Sequence, residues 1–175
     1  DKRAEDITRL KEQMHRANKL IGVNEVFAYD FPDNRFDEVP LLDIIKAIEK
    51  VKKVVMPDII YTHYGNDLNI DHRITHDAVL TAARPIRGER AKEIYSFEVP
   101  SSTEWKNPST FSPDVFCDIS GTLKKKLKAM LVYEGELRGF PHPRSMEGIK
   151  VRSAYWGMCS GLNAAEAFKT LRVLK

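Results

Sequence analysis

Near the start of the chain, Ile7, Leu10, Met14, Ala17, Leu20 and Ile21 recur at three- and four-residue steps. One face of that stretch is apolar, which predicts a helix. Gly22 stands where a left-handed C-terminal cap belongs. Glu25–Tyr29, with Val26 and Phe27, reads as a short strand, and Phe31-Pro32-Asp33-Asn34-Arg35 as a turn. Pro40 opens a second predicted helix carrying Leu41, Ile44, Ile45, Ile48 and Val51. Ile59-Ile60-Tyr61 follows Pro57-Asp58 as a short buried strand. A polar loop from Thr62 to Asp71 then leads into a helix from about His72 to Ala83, closed by Pro85. Lys92–Val99 and Asp114–Ile119 read as further strands. The aperiodic Pro100–Pro113 between them, with its Ser/Thr clusters, reads as a loop or lid. Ser120 caps a predicted helix with Leu123, Leu127, Met130 and Leu131 inward and Lys124, Lys125 and Lys126 solvated. Ala164–Leu174 reads as a closing helix.

Helices alternating with short apolar strands predict an α/β fold, a Rossmann-like three-layer sandwich with a mostly parallel sheet. Such a sheet normally begins on a central strand, whereas this chain begins on a helix. The expectation is therefore one domain over residues 1–175; either it is a piece of a longer protein whose first central strand lies upstream, the preferred reading, or another segment supplies that strand.

Composition narrows the function classes. The 28 Lys+Arg against 25 Asp+Glu leave a net charge of +3, too balanced for an electrostatic grip on nucleic acid or anionic lipid. No apolar run reaches the ~20 residues of a membrane span, and no signal core is present. Cys117 and Cys159 show no CxxC spacing, which favours a reducing compartment and predicts a cytoplasmic protein.

In an open α/β sheet the working site lies beyond the carboxyl ends of the strands. The Thr62–Asp71 loop falls there, and it is dense in polar groups: His63, Tyr64, Asn66, Asp67, Asn69 and Asp71, then His72. Asp71 is placed either to cap the helix or to work in the site. In the first helical turn the helix dipole disfavours imidazolium, so His72 stays neutral and able to offer a lone pair to a metal. His76, four residues on, shares its face. That spacing is one zinc sites exploit, but without the Glu of His-Glu-x-x-His the signal is weak, and the reading favoured for His76 is an ordinary, partly buried histidine beside Asp77.

Pro57-Asp58-Ile59-Ile60-Tyr61-Thr62-His63 and Asp67-Leu68-Asn69-Ile70-Asp71-His72-Arg73 resemble the second motif of the LmbE-like/PIG-L zinc de-N-acetylases. Leu20-Ile21-Gly22-Val23, Phe31–Arg35, Tyr133-Glu134-Gly135-Glu136, Phe140–Ser145 and Ala165-Glu166-Ala167-Phe168 follow in family order. The resemblance implies a Zn2+-dependent hydrolase that removes an N-acetyl group from an N-acetylated amino sugar or sugar conjugate, a small-molecule substrate. It implies His72 as a metal ligand, joined by a His and an Asp of an N-terminal His-Pro-Asp-Asp-Glu motif whose further Asp is the general base. It implies catalytic roles for Asp71 and for Asn69, which stands where many members carry a carbonyl-polarising His. For the sugar hydroxyls the candidates are Asp33, Arg35, His63, Arg84 and His142, with Trp105 as a stacking face. Each also has an ordinary reading as a turn residue, a solvated cation, an exposed loop histidine or a core tryptophan.

The chain departs from the family in two ways. Its only His-Pro, His142-Pro143, continues into Arg144-Ser145, so the N-terminal motif is not in these residues. Asn69 can donate a hydrogen bond to an oxyanion but cannot shuttle a proton. The alternative is thus a non-catalytic sugar-binding or assembly module of the same fold. Self-association as a homo-oligomer is left open.

Overall fold

The computed structural model describes residues 2–175, residues 2–4 by backbone alone. The elements run α1 (Lys2–Ile21), a 3-10 turn (Phe36–Glu38), α2 (Leu41–Val55), β1 (Ile59–His63), α3 (Ile70–Ala82), β2 (Glu93–Phe97), β3 (Val115–Asp118), α4 (Leu123–Leu131), α5 (Met146–Ser160) and β4 (Ala165–Val173). The strands form one four-stranded sheet in the order β1-β2-β4-β3. β1 and β2 are parallel, with Ile59 opposite Glu93 and His63 opposite Phe97. β2 and β4 are antiparallel, with a bulge at Ile94/Tyr95. The α/β class read from the sequence holds, and the sheet is mixed rather than purely parallel.

Two compact units divide the chain. One comprises Tyr29–Phe116 and Ala167–Lys175. Its core sets Ile44 and Ile45 of α2 against Ala78 and Ala82 of α3, with Phe31, Phe36, Val39, Ile48 and Ile74 packed around them. The apolar periodicity of α2 supplies one face of this contact, and the alanines of α3 let the two helices approach closely. α2 ends on Met56, a non-glycine residue in the left-handed region at φ 49°, whose N–H reaches the Lys52 carbonyl at 2.8 Å. Lys52 in turn donates to the Ala82 carbonyl and to Glu89, both at 2.6 Å. A cation is thereby seated at the negative end of α3.

The other unit comprises Asp1–Ala28 and Cys117–Glu166. In it α1 packs on α4, burying Ala17 and Ala129. Gly22 ends α1 at φ 92°, its N–H 3.1 Å from the Asn18 carbonyl. α5 starts where the Ser145 side chain accepts the Gly148 N–H and stops at Gly161, φ 73°. The sequence pattern does not announce α5, although a Ser cap and a terminal Gly bracket Ile149 and Trp156.

Four further expectations are corrected. Glu25–Tyr29 forms no strand, and Phe27 and Tyr29 are exposed; β propensity alone does not make a strand without a neighbour to pair with. The closing segment is β4, not a helix, with Ala165 and Ala167 buried on alternate positions. α3 begins at Ile70, two residues before His72. The 100–113 stretch is tied down rather than free as a lid: Ser102 and Thr103 are buried, and Thr110 is bonded to Tyr64 and Asn66. Cys117 and Cys159 are unbridged and exposed. Among the described residues no helix is long and apolar enough to cross a membrane.

Candidate active site

The polar loop between β1 and α3 builds the site, at the carboxyl end of β1. Asn69 is the N-cap of α3: its Oδ1 accepts the Asp71 N–H at 2.8 Å. Asn, rather than the Asp71 weighed for that task, thus satisfies the first orphan donor of the helix. The Asn69 amide also donates to Asn34 Oδ1 at 3.0 Å and keeps a second N–H proton. Asp71, freed from capping, reaches across to another segment. Its Oδ2 accepts the Asn34 N–H at 2.6 Å and its Oδ1 the Phe36 N–H at 3.0 Å.

Asp67, which in sequence is only one polar loop residue among several, is the hub. Its side chain is fully buried. It accepts from His72 Nδ1 at 2.9 Å, from the Asn69 N–H at 2.9 Å, from Thr103 Oγ1 at 2.5 Å and from Ser102 Oγ. Burial pushes its carboxyl pKa up, but the bonds from His72, Ser102, Thr103 and Asn69 outweigh burial and hold it well below the ordinary carboxylate range. Arg73 clips the same loop through the carbonyls of Asp67 and Leu68, at 2.9 and 2.7 Å. With Nδ1 engaged by a carboxylate, His72 leaves Nε2 as the nitrogen without a hydrogen-bond partner among the described residues.

His63, the last residue of β1, stacks on His72 with ring centroids 4.3 Å apart and planes 15° from parallel. Its Nδ1 is buried without a partner among the described residues. Burial first, then the neighbouring His72, lowers its pKa to about 4. His76 pairs with Asp77 at 3.0 Å, and its ring lies so close over Gly65 that an added Cβ would meet it at 2.8 Å. It is the ordinary partly buried histidine of the sequence reading, and it explains a glycine at position 65.

The substrate-side candidates scatter. Asp33 accepts from the Asn34 side chain at 3.1 Å and so lies in the turn held by Asp71. Arg35 is exposed and engages Glu38. Arg84 follows the C-terminus of α3, paired with Glu49 at 3.6 Å. The 13-residue α3 spans roughly 20 Å at 1.5 Å per residue, so the structure does not bring Arg84 to the cluster. His142 belongs to the other compact unit, where its Nδ1 accepts the Arg144 N–H at 3.1 Å. Trp105 is 52% exposed and stands two residues beyond Thr103. Among the described residues no group of three or more His, Cys, Asp or Glu side chains could hold a metal ion.

Residues 1–83 match the model of a known family, PIG-L: GlcNAc-PI de-N-acetylase. The match spans Pro57–Arg73, the segment that carries the sequence resemblance. No curated protein matches the chain. Among solved structures, a conserved protein from Thermus thermophilus is similar at 20% identity and a TM-score of 0.75, over 96% of this chain and 75% of that one. An N,N'-diacetylchitobiose deacetylase from Pyrococcus horikoshii is similar at 15% identity and a TM-score of 0.73, over 94% of this chain and 64% of its own. The 4-carboxy-2-hydroxymuconate hydratase from Pseudomonas putida is similar at 21% identity and a TM-score of 0.76, over 98% of this chain and 75% of its own. At these identities the neighbours share the fold. The chain spans just under two thirds of the deacetylase and three quarters of the other two.

Proposed function

We propose, from the PIG-L match across residues 1–83, that the protein is a zinc-dependent N-deacetylase acting on a small N-acetylated amino sugar or sugar conjugate. The observation that carries the reading is His72: first turn of α3, beyond the carboxyl end of β1, with Nδ1 bound to Asp67 and Nε2 without a hydrogen-bond partner among the described residues. This is the posture of a metal-ligating histidine, whose second nitrogen is usually held by a carboxylate.

Zinc catalysis takes about three protein donors and an open position. The described residues, with no qualifying group of three, do not by themselves fit the ion. The proposal therefore assigns His72 as one ligand, with the remaining donors and the general base on sequence outside these 175 residues, in a single deacetylase domain of which this chain is part. No step is derived through the metal. What the chain's own groups contribute is positioning. Asn69 can turn its remaining amide proton toward an oxygen that gains charge. Asp71 holds the 33–36 turn, and Asp33 and Arg35 on that turn, with His63, are proposed contacts for sugar hydroxyls. The exposed face of Trp105 suits stacking on a sugar ring. The two free cysteines suit a reducing compartment such as the cytoplasm.

A second reading, a non-catalytic sugar-binding or assembly module, draws on the same shortage of donors. Metal analysis and acetate release from N-acetylglucosamine conjugates separate the two. The natural protein with its full N-terminus is expected to carry about one zinc per chain, and His72→Ala to lose both zinc and turnover. Zinc unchanged in that variant removes His72 from the ligand set. A full-length wild type without zinc or turnover favours the second reading.

A further inference from the structure

We propose that Asp67 is a positioning residue that locks the His72 imidazole into its Nδ1-protonated tautomer, with the Ser102 and Thr103 hydroxyls locking Asp67 in turn. The proposal deepens the functional reading above, since it rests on His72 as the working imidazole.

Two independent restraints meet on that ring. The stack on His63, 4.3 Å between centroids, fixes its plane. The 2.9 Å contact from Nδ1 to Asp67 Oδ1 fixes its rotation within that plane and the nitrogen that carries the proton. A carboxylate can only accept, so an ionised Asp67 forces the proton onto Nδ1 and the lone pair onto Nε2. The carboxylate itself has no freedom. Thr103 Oγ1 donates to Oδ2 at 2.5 Å, while Ser102 Oγ and the Asn69 N–H, the latter at 2.9 Å, donate to Oδ1.

Among the described residues, every partner of the Asp67 carboxylate other than Asn69 and His72 comes from 35 or 36 residues further along the chain. The 99–104 segment is therefore part of the site's machinery rather than a passing loop. It is itself braced, since the Val99 N–H donates to Thr103 Oγ1 at 2.8 Å and the Ser101 N–H to Glu104 at 2.8 Å. Asp71, the carboxylate that adjoins His72 in sequence, binds Asn34 and Phe36 instead and cannot do this work.

The ring nitrogens of His72 in metal-free, 15N-histidine-labelled protein at pH 8, read by two-bond 1H–15N correlation, provide the test. Wild type is expected to show a protonated Nδ1 and an unprotonated Nε2. Asp67→Asn should move both shifts toward the average of two tautomers, and Ser102→Ala and Thr103→Val should move them part of the way. In turnover of an N-acetylglucosamine conjugate, these variants should lose about 10- to 100-fold in kcat with KM little changed. A wild-type ring protonated on Nε2, or shifts unmoved by the substitutions, overturns the proposal. Should Asp67→Asn fail to fold, the two hydroxyl variants and the wild-type spectrum still decide. The expected spectra without turnover in any form would sink the deacetylase reading and leave the positioning role standing.

Discussion

His63 is a buried imidazole whose Nδ1 has no partner among the described residues, and that makes it a readout of folding. Its pKa falls from 6.5 to about 4, mainly through burial. Between those values the unfolded chain binds a proton that the folded chain refuses. Stability must therefore fall as pH drops from 6.5 to 4, by up to on the order of 3 kcal/mol. Asp67 acts in a separate window. Its lowered pKa contributes stability above its unfolded value of 3.8, which is lost only as pH falls below that value. Denaturant melts at about pH 4.5 and pH 7 should show the His63 loss, and His63→Phe, which keeps the stacked ring, should flatten it. Equal slopes in both proteins would rule out burial of this imidazole as the cause. The place of His72, in the first turn of α3 just beyond β1, is legible in the sequence because a helix start and a strand end are both local signals; its role as a ligand comes from the family resemblance and is a proposal. Asp67 is not legible as a hub. Its hydroxyl partners Ser102 and Thr103 lie a helix and a strand away, and nothing in a Ser-Ser-Thr run says which carboxylate it will meet.

At the scale of elements, the helices with a clean apolar stripe are readable. α2 follows its Ile44, Ile45 and Ile48 pattern, and α1 ends at the glycine that can adopt φ 92°. β4 reads as a helix in sequence because Ala-Glu-Ala-Phe favours one locally, whereas pairing with β2 rewards the alternate burial of Ala165 and Ala167; tertiary pairing overrides propensity at such sites. The 3-10 turn at Phe36–Glu38 is invisible for a related reason, since it is held from outside by one side chain of α3. Asp71 accepts two backbone N–H groups there, at 2.6 and 3.0 Å, and hydrogen bonds to a charged group contribute about 1.5–3 kcal/mol each. Asp71→Ala should therefore destabilise the fold by about 3 kcal/mol, measurable by urea unfolding, and release Phe36 from beside the α2–α3 core. A variant as stable as wild type would return Asp71 to a purely catalytic role.

For the molecule as a whole, what matters most is where the sheet stops. β1 is an edge strand, with Ile59 45% and Tyr61 53% exposed, and Val54, Val55 and Met56 are exposed just before it. Edge strands are normally protected by Lys, Pro, a bulge or a cover. The run Ile59-Ile60-Tyr61-Thr62-His63 contains neither Lys nor Pro. Its outer backbone groups, unpaired among the described residues, and its apolar side chains form a template for another strand, and a net charge of +3 gives little repulsion to oppose it. The 175-residue chain should accordingly associate with itself as concentration rises from about 10 to 100 μM, the range in which exposed strand edges pair, seen as a growing sedimentation coefficient. Ile59→Lys places a charge on that edge without disturbing the buried Ile94 or Ala78, and should return the chain to a monomer with unchanged circular dichroism. If wild type sediments as a monomer throughout, the β1 edge is shielded in solution. If instead Ile59→Lys associates as strongly as wild type, the contact lies on another surface, and the exposed end of α2 becomes the next position to charge.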